Sequence, residues 1–392
     1  MGQFRTAMPR CAVAAPEHPA AMILMTRSRR LLPLLLGFAT TALLSAATPP
    51  PAPARLDRAD LLVYRDRQGA MRPVRSVHDW KRRRAEILRG MQDVMGPLPD
   101  RSKRCPLEMI VLEETDAGDH VRRLITYQSE PGGRVPAYLL IPKQALTGKG
   151  RFPGVLCLHP THATLGHRMV VGLGPDANRS YALELARRGY VTLAPSYPLL
   201  ADYQPDLAAL GWQSGTLKAV WDNRRGLDLL DSLPYVRHGR YGAIGHSLGG
   251  HNAVFTAVFD DRIRAVVSSC GLDSFLDYYG GDPQRWAPEQ GWCQTRYMPR
   301  LTAYAGRLED IPFDFHELIA ALAPRPVLLS APLHDSNFQW TSVDRIAAAA
   351  ASVYRLYRKP DLLRLEHPDC PHDFPEPMRT LAYELFDRVL QP

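Results

Sequence analysis

Tyr241-Gly-Ala-Ile-Gly-His-Ser-Leu-Gly-Gly-His251 is the stretch on which the reading of this chain turns. A short apolar run, Tyr241 to Ile244, stops at Gly245, and an apolar helical pattern follows through Ala253, Val254, Ala257 and Val258. Strand, tight turn and helix therefore meet at Ser247. Such a turn holds its apex residue in a strained backbone conformation. It requires glycine at 245 and 249, because a Cβ at either place strikes the neighbouring strand or helix. The turn lifts the serine hydroxyl above the sheet edge. It also puts the N–H of Leu248 at a helix N-terminus, where developing negative charge is stabilised. The bland alternative is a small-residue turn that only packs a helix on a sheet. The flanking elements and the extra Gly250 argue against it.

The spacing is G-x-S-x-G, and on this stretch the sequence resembles the α/β-hydrolase superfamily, whose nucleophile sits at such an elbow. More narrowly, it resembles the secreted acetyl xylan esterase and dienelactone-hydrolase-like serine esterases. Three further segments carry that likeness: Pro324-Arg-Pro326 before a strand, Asp335-Ser-Asn-Phe338, and His372-Asp-Phe-Pro375. The resemblance implies a chain order of nucleophile, acid, histidine, the last two on loops that follow strands. Ser247, Asp335 and His372 fit that order, with no cofactor required.

The rest of the chain supplies a sheet for the elbow. Glu108–Glu113, Val121–Tyr127 and Val135–Ile141 are β-rich runs separated by turn residues, an antiparallel opening. From Gly154–Leu158 onward the rhythm alternates: helix Ser180–Arg188, strand Tyr190–Ala194, helix Leu217–Leu233, the elbow strand, then strands at Ile263–Ser268, Pro326–Ser330 and Leu362–Glu366. Continuous apolar strands alternating with helices predict an α/β fold with a doubly wound, mostly parallel sheet. Ahead of it, Val77–Met95 reads as a helix with Trp80, Ile87, Met91 and Val94 on one face. Gly96-Pro97 stops it, and Lys81 to Arg84 read as its solvated face. The expected organisation is a signal peptide over 1–47, a linker and helical extension over 48–104, and a catalytic domain over 105–392. Leu272 to Ala323 is too long for a simple connection and reads as a cap. It carries Tyr278, Tyr279, Trp286, Trp292, Tyr297 and Tyr304, either to stack on sugar rings or to fill its own small core.

Several residues compete for roles. His367 is an alternative base at a strand end, and Asp273 an alternative acid after the preceding strand. Asp369 and Asp373 read as loop caps. The second oxyanion donor is expected from the loop after Gly154–Leu158. Pro160 has no N–H, so Thr161 joins Leu248 as the expected pair of donors. His246, His159, Trp286 and Trp292 are the expected substrate contacts. His159, His162 and His167 have the spacing H-x2-H-x4-H, but no carboxylate lies inside the run and a serine hydrolase needs no metal, so none is expected. Asn178-Arg-Ser180 is a glycosylation sequon.

Composition narrows the class. A chain of 392 residues, 45% hydrophobic and 22% charged, has room for a large α/β core and an extension. The net charge of +8 divides evenly. Five arginines and Glu17 in the first 47 residues leave +4 there, hence +4 for the remainder. No basic stripe interleaved with aromatics points to nucleic acid. Arg27, Arg29 and Arg30, the apolar run Leu31 to Leu44 and Ser45-Ala46-Ala47 form an export signal. Met22 and Met25 are alternative starts, and the run is short for a membrane span. The expected location is secreted or periplasmic, with no span in the mature chain and with a small-molecule or polysaccharide ester as partner. Six cysteines are present. Cys11 leaves with the signal, and Cys293 and Cys370 are one pair able to join. A serine peptidase of the prolyl-oligopeptidase-like group is the alternative enzyme, but its propeller does not fit ahead of this sheet. A non-catalytic hydrolase-fold binding protein is the third class.

Overall fold

Nine strands form one sheet in the order β11-β10-β9-β8-β6-β7-β5-β4-β3, in a computed structural model that describes residues 55–392. The expected export signal therefore lies outside the described residues, as does the start of the expected linker. A hairpin, β1 (Val63–Arg65) and β2 (Met71–Pro73), leads into α1 (Val77–Met95). Then come β3 (Ile110–Asp116), β4 (His120–Glu130) and β5 (Gly133–Pro142), paired antiparallel. The remaining strands are β6 (Phe152–Leu158), β7 (Val191–Pro195), β8 (Val236–His246), β9 (Ile263–Ser269), β10 (Val327–Ser330) and β11 (Leu363–Glu366), all mutually parallel. The helices between and after them are α2 (Tyr181–Arg187), α3 (Gly215–Ser232), α4 (Leu248–Phe259), α5 (Phe315–Ala321), α6 (Trp340–Leu356) and α7 (Glu376–Leu390).

Helices cover both faces of this sheet, so the inner parallel strands β6, β7 and β10 are buried almost throughout, whereas β11 at the edge is partly exposed. Val155, Cys157, Ile244, Ala265 and Val267 face one apolar cluster, and Leu156, Leu158, Ala243 and Val266 face the other. That alternation within each continuously apolar strand is what burial on both faces demands. The strand order matters for function. The chain leaves β6 for β7 on one side and returns to β8 on the other. The loops after β6 and β8 therefore diverge, opening a crevice at the carboxyl ends of the strands where ligands bind in such sheets.

α1 starts at Ser76, whose hydroxyl accepts from the Asp79 N–H. It buries Trp80, Ile87, Met91 and Val94. The solvated face expected over Lys81 to Arg84 is only half present. Arg83 is buried, bonding Glu317 at 3.1 Å, and Arg84 caps the carbonyls of Ala321 and Val258. Glu317 is shared with Arg55 at 2.7 Å, and Arg58 meets Asp314 at 2.6 Å. These pairs dock the N-terminal extension on α5, so the long-range partner, not helix periodicity, decides where Arg83 points.

The five cysteines among the described residues are free thiols. Cys293 is buried against the Trp286 carbonyl, whereas Cys370 lies on the loop after β11; they do not pair. Among the described residues, no helix is long and apolar enough to cross a membrane.

Candidate active site

At the end of β8, Ser247 adopts φ 54° and ψ −124°, a conformation costly for a residue with a side chain. The surroundings enforce it. The Ser247 N–H donates to the Ser269 carbonyl at 2.8 Å, and α4 begins at the next residue. A Cβ on Gly245 would sit 2.1 Å from the backbone of Gly249, and one on Gly249 would sit 1.9 Å from the Leu158 oxygen. Both contacts are with backbone, which cannot swing aside. Gly249→Ala should therefore lower stability by at least about 3 kcal/mol, above the usual range for overpacking, read as a fall in the urea midpoint; an unchanged midpoint would show that the elbow is looser than described.

The loop after β6 faces the elbow, and three side chains brace it. Tyr181 donates its hydroxyl to the Leu158 carbonyl. His159 donates Nδ1–H to the Pro160 carbonyl at 2.8 Å and accepts the Tyr197 N–H on Nε2 at 2.9 Å. The Thr161 hydroxyl bonds that of Tyr297 at 3.1 Å. His159, expected to touch substrate, is thus a strut inside the protein. Burial lowers its pKa to about 4, which keeps the ring neutral and the two bonds intact at ordinary pH.

Asp335 follows β10 and His372 follows β11. Their side chains meet: His372 Nδ1 lies 2.9 and 2.8 Å from the two carboxyl oxygens of Asp335. The same carboxylate accepts the N–H groups of Asn337 at 2.8 Å and Phe338 at 3.2 Å. An anion so bonded keeps the proton on Nδ1 and leaves the Nε2 lone pair free. Ser247, Leu248, His372, Pro160 and Thr161 line one cleft of 420 Å³.

The competitors are occupied elsewhere. His367 bonds the Ala331 carbonyl at 2.7 Å and Asp344 at 3.0 Å, so both its nitrogens point away from the elbow. Asp273 is buried, accepts the Gln339 N–H at 3.2 Å, and is pushed well above the usual carboxyl range by desolvation. Asp369 pairs with His334 in solvent at 2.8 Å. Asp373, read as a loop cap, instead reaches across to Arg179 and to the Asn178 amide at 2.7 Å. Asn178 also accepts from Arg379 at 2.7 Å, so the sequon amide is engaged at both ends.

The insertion over 272–323 holds two kinds of aromatic residue. Trp292 lines the cleft and stacks on His251 at 4.4 Å. Trp286 does not line it: the ring is buried edge-on to Phe275 at 5.9 Å and fills the insertion's own core. His246 does line the cleft, its Nδ1 3.1 Å from the Ser269 hydroxyl and its ring 4.8 Å from that of His372. Desolvation holds it well below the usual imidazole range. The run of three histidines does not converge. The His162 ring caps the N–H groups of Thr164 and Leu165, and the His159 and His167 rings stand 6.3 Å apart. Sequence reading missed Asp176, Arg179, Met169, Asn337 and Phe338 in the cleft wall. No local pattern marks Arg179 or Met169, but Asn337 and Phe338 follow Asp335 directly.

The chain has the α/β-hydrolase fold. A family model described as "Glucuronyl esterase, fungi" matches residues 210–357, a span that includes Ser247 and Asp335 but stops before His372. YtaP of Bacillus subtilis, named only as a hydrolase, is 27% identical over 282 residues, 69% of this chain and 88% of that one. The 4-O-methyl-glucuronoyl methylesterase 1 of Wolfiporia cocos is 26% identical over 188 residues, which span 44% of this chain and 45% of the fungal protein. Among solved structures, a glucuronoyl esterase from Solibacter usitatus superposes with a TM-score of 0.66 at 20% identity, covering 85% of this chain and 98% of that one.

Proposed function

We propose that this chain is an exported serine carboxylic ester hydrolase that acts on carbohydrate esters, with esters of a uronic acid as the first class to test. The contact that carries the reading is that between His372 and Asp335, in a cleft shared with Ser247. In this mechanism His372 Nε2 removes the Ser247 proton and Asp335 holds the tautomer and stabilises the imidazolium. The serine oxygen attacks the ester carbonyl, and the N–H groups of Leu248 and Thr161 bond the oxyanion. His372 returns the proton to the departing alkoxide, and water then repeats the cycle on the acyl-enzyme. The relatives' names favour glucuronoyl esters over acetyl esters. Tyr278, Trp292, Tyr297 and Phe338 supply apolar surface on which a sugar ring can stack, in the same cleft as Asp176 and Arg179.

The discriminating experiment offers one preparation five substrates: a benzyl ester of glucuronic acid, acetylated xylan, methyl-esterified pectin, p-nitrophenyl acetate and a peptide anilide. Highest kcat/KM on the glucuronate ester supports the proposal. Preference for acetyl esters would move the enzyme to the acetyl xylan esterase class, and turnover of the anilide alone would make it a peptidase.

Tyr297 gives a further test. Because its hydroxyl steadies Thr161, Tyr297→Phe should lower kcat by about tenfold with little change in KM. That is less than the 10²–10³ lost when an oxyanion donor itself is removed. A rise in KM alone would make Tyr297 a substrate contact and nothing more.

A further inference from the structure

Among the described residues, one group of metal-ligating side chains converges. One donor atom each from His246, Cys270 and His372 lies within 4.8 Å of the other two. The three come from separate places: the last residue of β8, the residue after β9, and the loop after β11. His246 and His372 line the cleft, so an ion can reach them from solvent. Cys270 is buried, and its backbone is fixed at φ 47°.

Each ligand is already oriented by a second partner. His372 gives its Nδ1–H to Asp335, which leaves Nε2 as its free ligand atom. A histidine backed by a carboxylate is the usual form of a metal-bound imidazole, so what prepares His372 as a base prepares it equally as a ligand. The Nδ1 of His246 faces the Ser269 hydroxyl, which in turn lies 3.7 Å from the Cys270 sulfur. The Cys270 thiol itself donates to the Asp373 carbonyl at 3.3 Å. Bond lengths of about 2.0–2.3 Å around a tetrahedral ion set its ligands roughly 3.3–3.8 Å apart. The nearest donor atoms lie up to 4.8 Å apart, so closing the cluster takes at least about 1 Å of movement, with the His372 ring turning to present Nε2. The His372 side chain is 22% exposed and sits on a loop, which makes it the member nearest solvent. Two imidazoles and a thiolate suit a borderline or soft ion and discriminate against Mg²⁺ and Ca²⁺, which prefer oxygen.

We propose that His246, Cys270 and His372 form an inhibitory site for Zn²⁺. The ion takes the lone pair of His372 Nε2, the Cys270 thiol releases its proton to solvent as the Zn–S bond forms, and the fourth position opens to the cleft. Binding at this site does not depend on the esterase reading, although its consequence for turnover does.

The test is to titrate ZnCl₂ into the full-length, metal-free protein, with calorimetry as one readout and ester turnover as the other. One Zn²⁺ should bind per chain in the micromolar range or tighter, turnover should fall in parallel, and EDTA should restore it. Cys270→Ala and Cys270→Ser, each checked for fold by circular dichroism, should weaken Zn²⁺ binding at least about tenfold while keeping turnover in the absence of zinc. MgCl₂ and CaCl₂ should neither bind nor inhibit. No calorimetric Zn²⁺ site, or the same affinity in both Cys270 variants as in the wild type, overturns the proposal. If the protein shows no ester turnover at all, the calorimetric arm still decides the metal site, so the two readings fail separately.

Discussion

Ser247→Ala should reduce ester turnover by about 10⁵–10⁶-fold and leave the fold intact. The size follows from removing the only atom that forms the covalent intermediate; in triad hydrolases loss of the nucleophile costs nearly as much as loss of the whole triad. The fold should survive for a physical reason. Ser247 is held at φ 54° by its backbone bond to Ser269 and by the packing of Gly245 and Gly249, not by its hydroxyl. Alanine in that conformation carries the same backbone strain as serine. The variant should therefore keep its circular dichroism spectrum and lose its turnover. Residual turnover within tenfold of wild type would mean that another group attacks the ester.

Asp335→Asn should cost about 10⁴-fold in kcat, because an amide can donate to Nδ1 and so favours the wrong imidazole tautomer. The geometry makes this variant informative. Asp335 faces three donors: the Nδ1–H of His372, placed 2.9 and 2.8 Å from its two oxygens, and the N–H groups of Asn337 and Phe338. The asparagine can keep the two backbone bonds through its carbonyl oxygen, so the loop should stay in place. The companion variant, Asp273→Asn, should keep turnover near wild type, since that carboxyl makes no bond to His372 and burial already favours its neutral form. If Asp273→Asn is the damaging change and Asp335→Asn the mild one, the acid has been assigned to the wrong strand.

The elbow and the parallel core were readable in the sequence because their constraints are local. Gly245 and Gly249 face backbone at about 2 Å on adding a Cβ, and no other residue satisfies that. The inner strands β6, β7 and β10 are buried on both faces, so each reads as a nearly continuous apolar run. The face of α1 was legible for the same reason, through Trp80, Ile87, Met91 and Val94. Besides the short α5, two long helices went unread. α6 buries Val343, Ile346, Ala350 and Val353 at helical spacing, and α7 buries Ala382, Tyr383, Phe386 and Leu390. Both patterns are present in the sequence, and both lie beside the acid and histidine segments, where the motifs drew the reading instead.

What the sequence could not supply was set by distant partners. Arg83 looks like a surface charge until Glu317, far along the chain, is placed beside it. His159 has the residue type of a substrate contact, yet the Tyr197 N–H and the Pro160 carbonyl take both its nitrogens. Trp286 and Trp292 share an insertion and a composition. Only packing sends one ring into the core and the other to the cleft. The convergence of Cys270 with two histidines is of the same kind, since the three residues are brought together only by the sheet.

The measurement that bears most directly on the account is covalent labelling by a fluorophosphonate, which reacts with a serine only when a base activates it. Intact-mass analysis should show one adduct per wild-type chain and peptide mapping should place it on Ser247. In His372→Ala the same exposure should leave the chain unlabelled. An adduct on another residue, or labelling of Ser247 at an undiminished rate without His372, would contradict it.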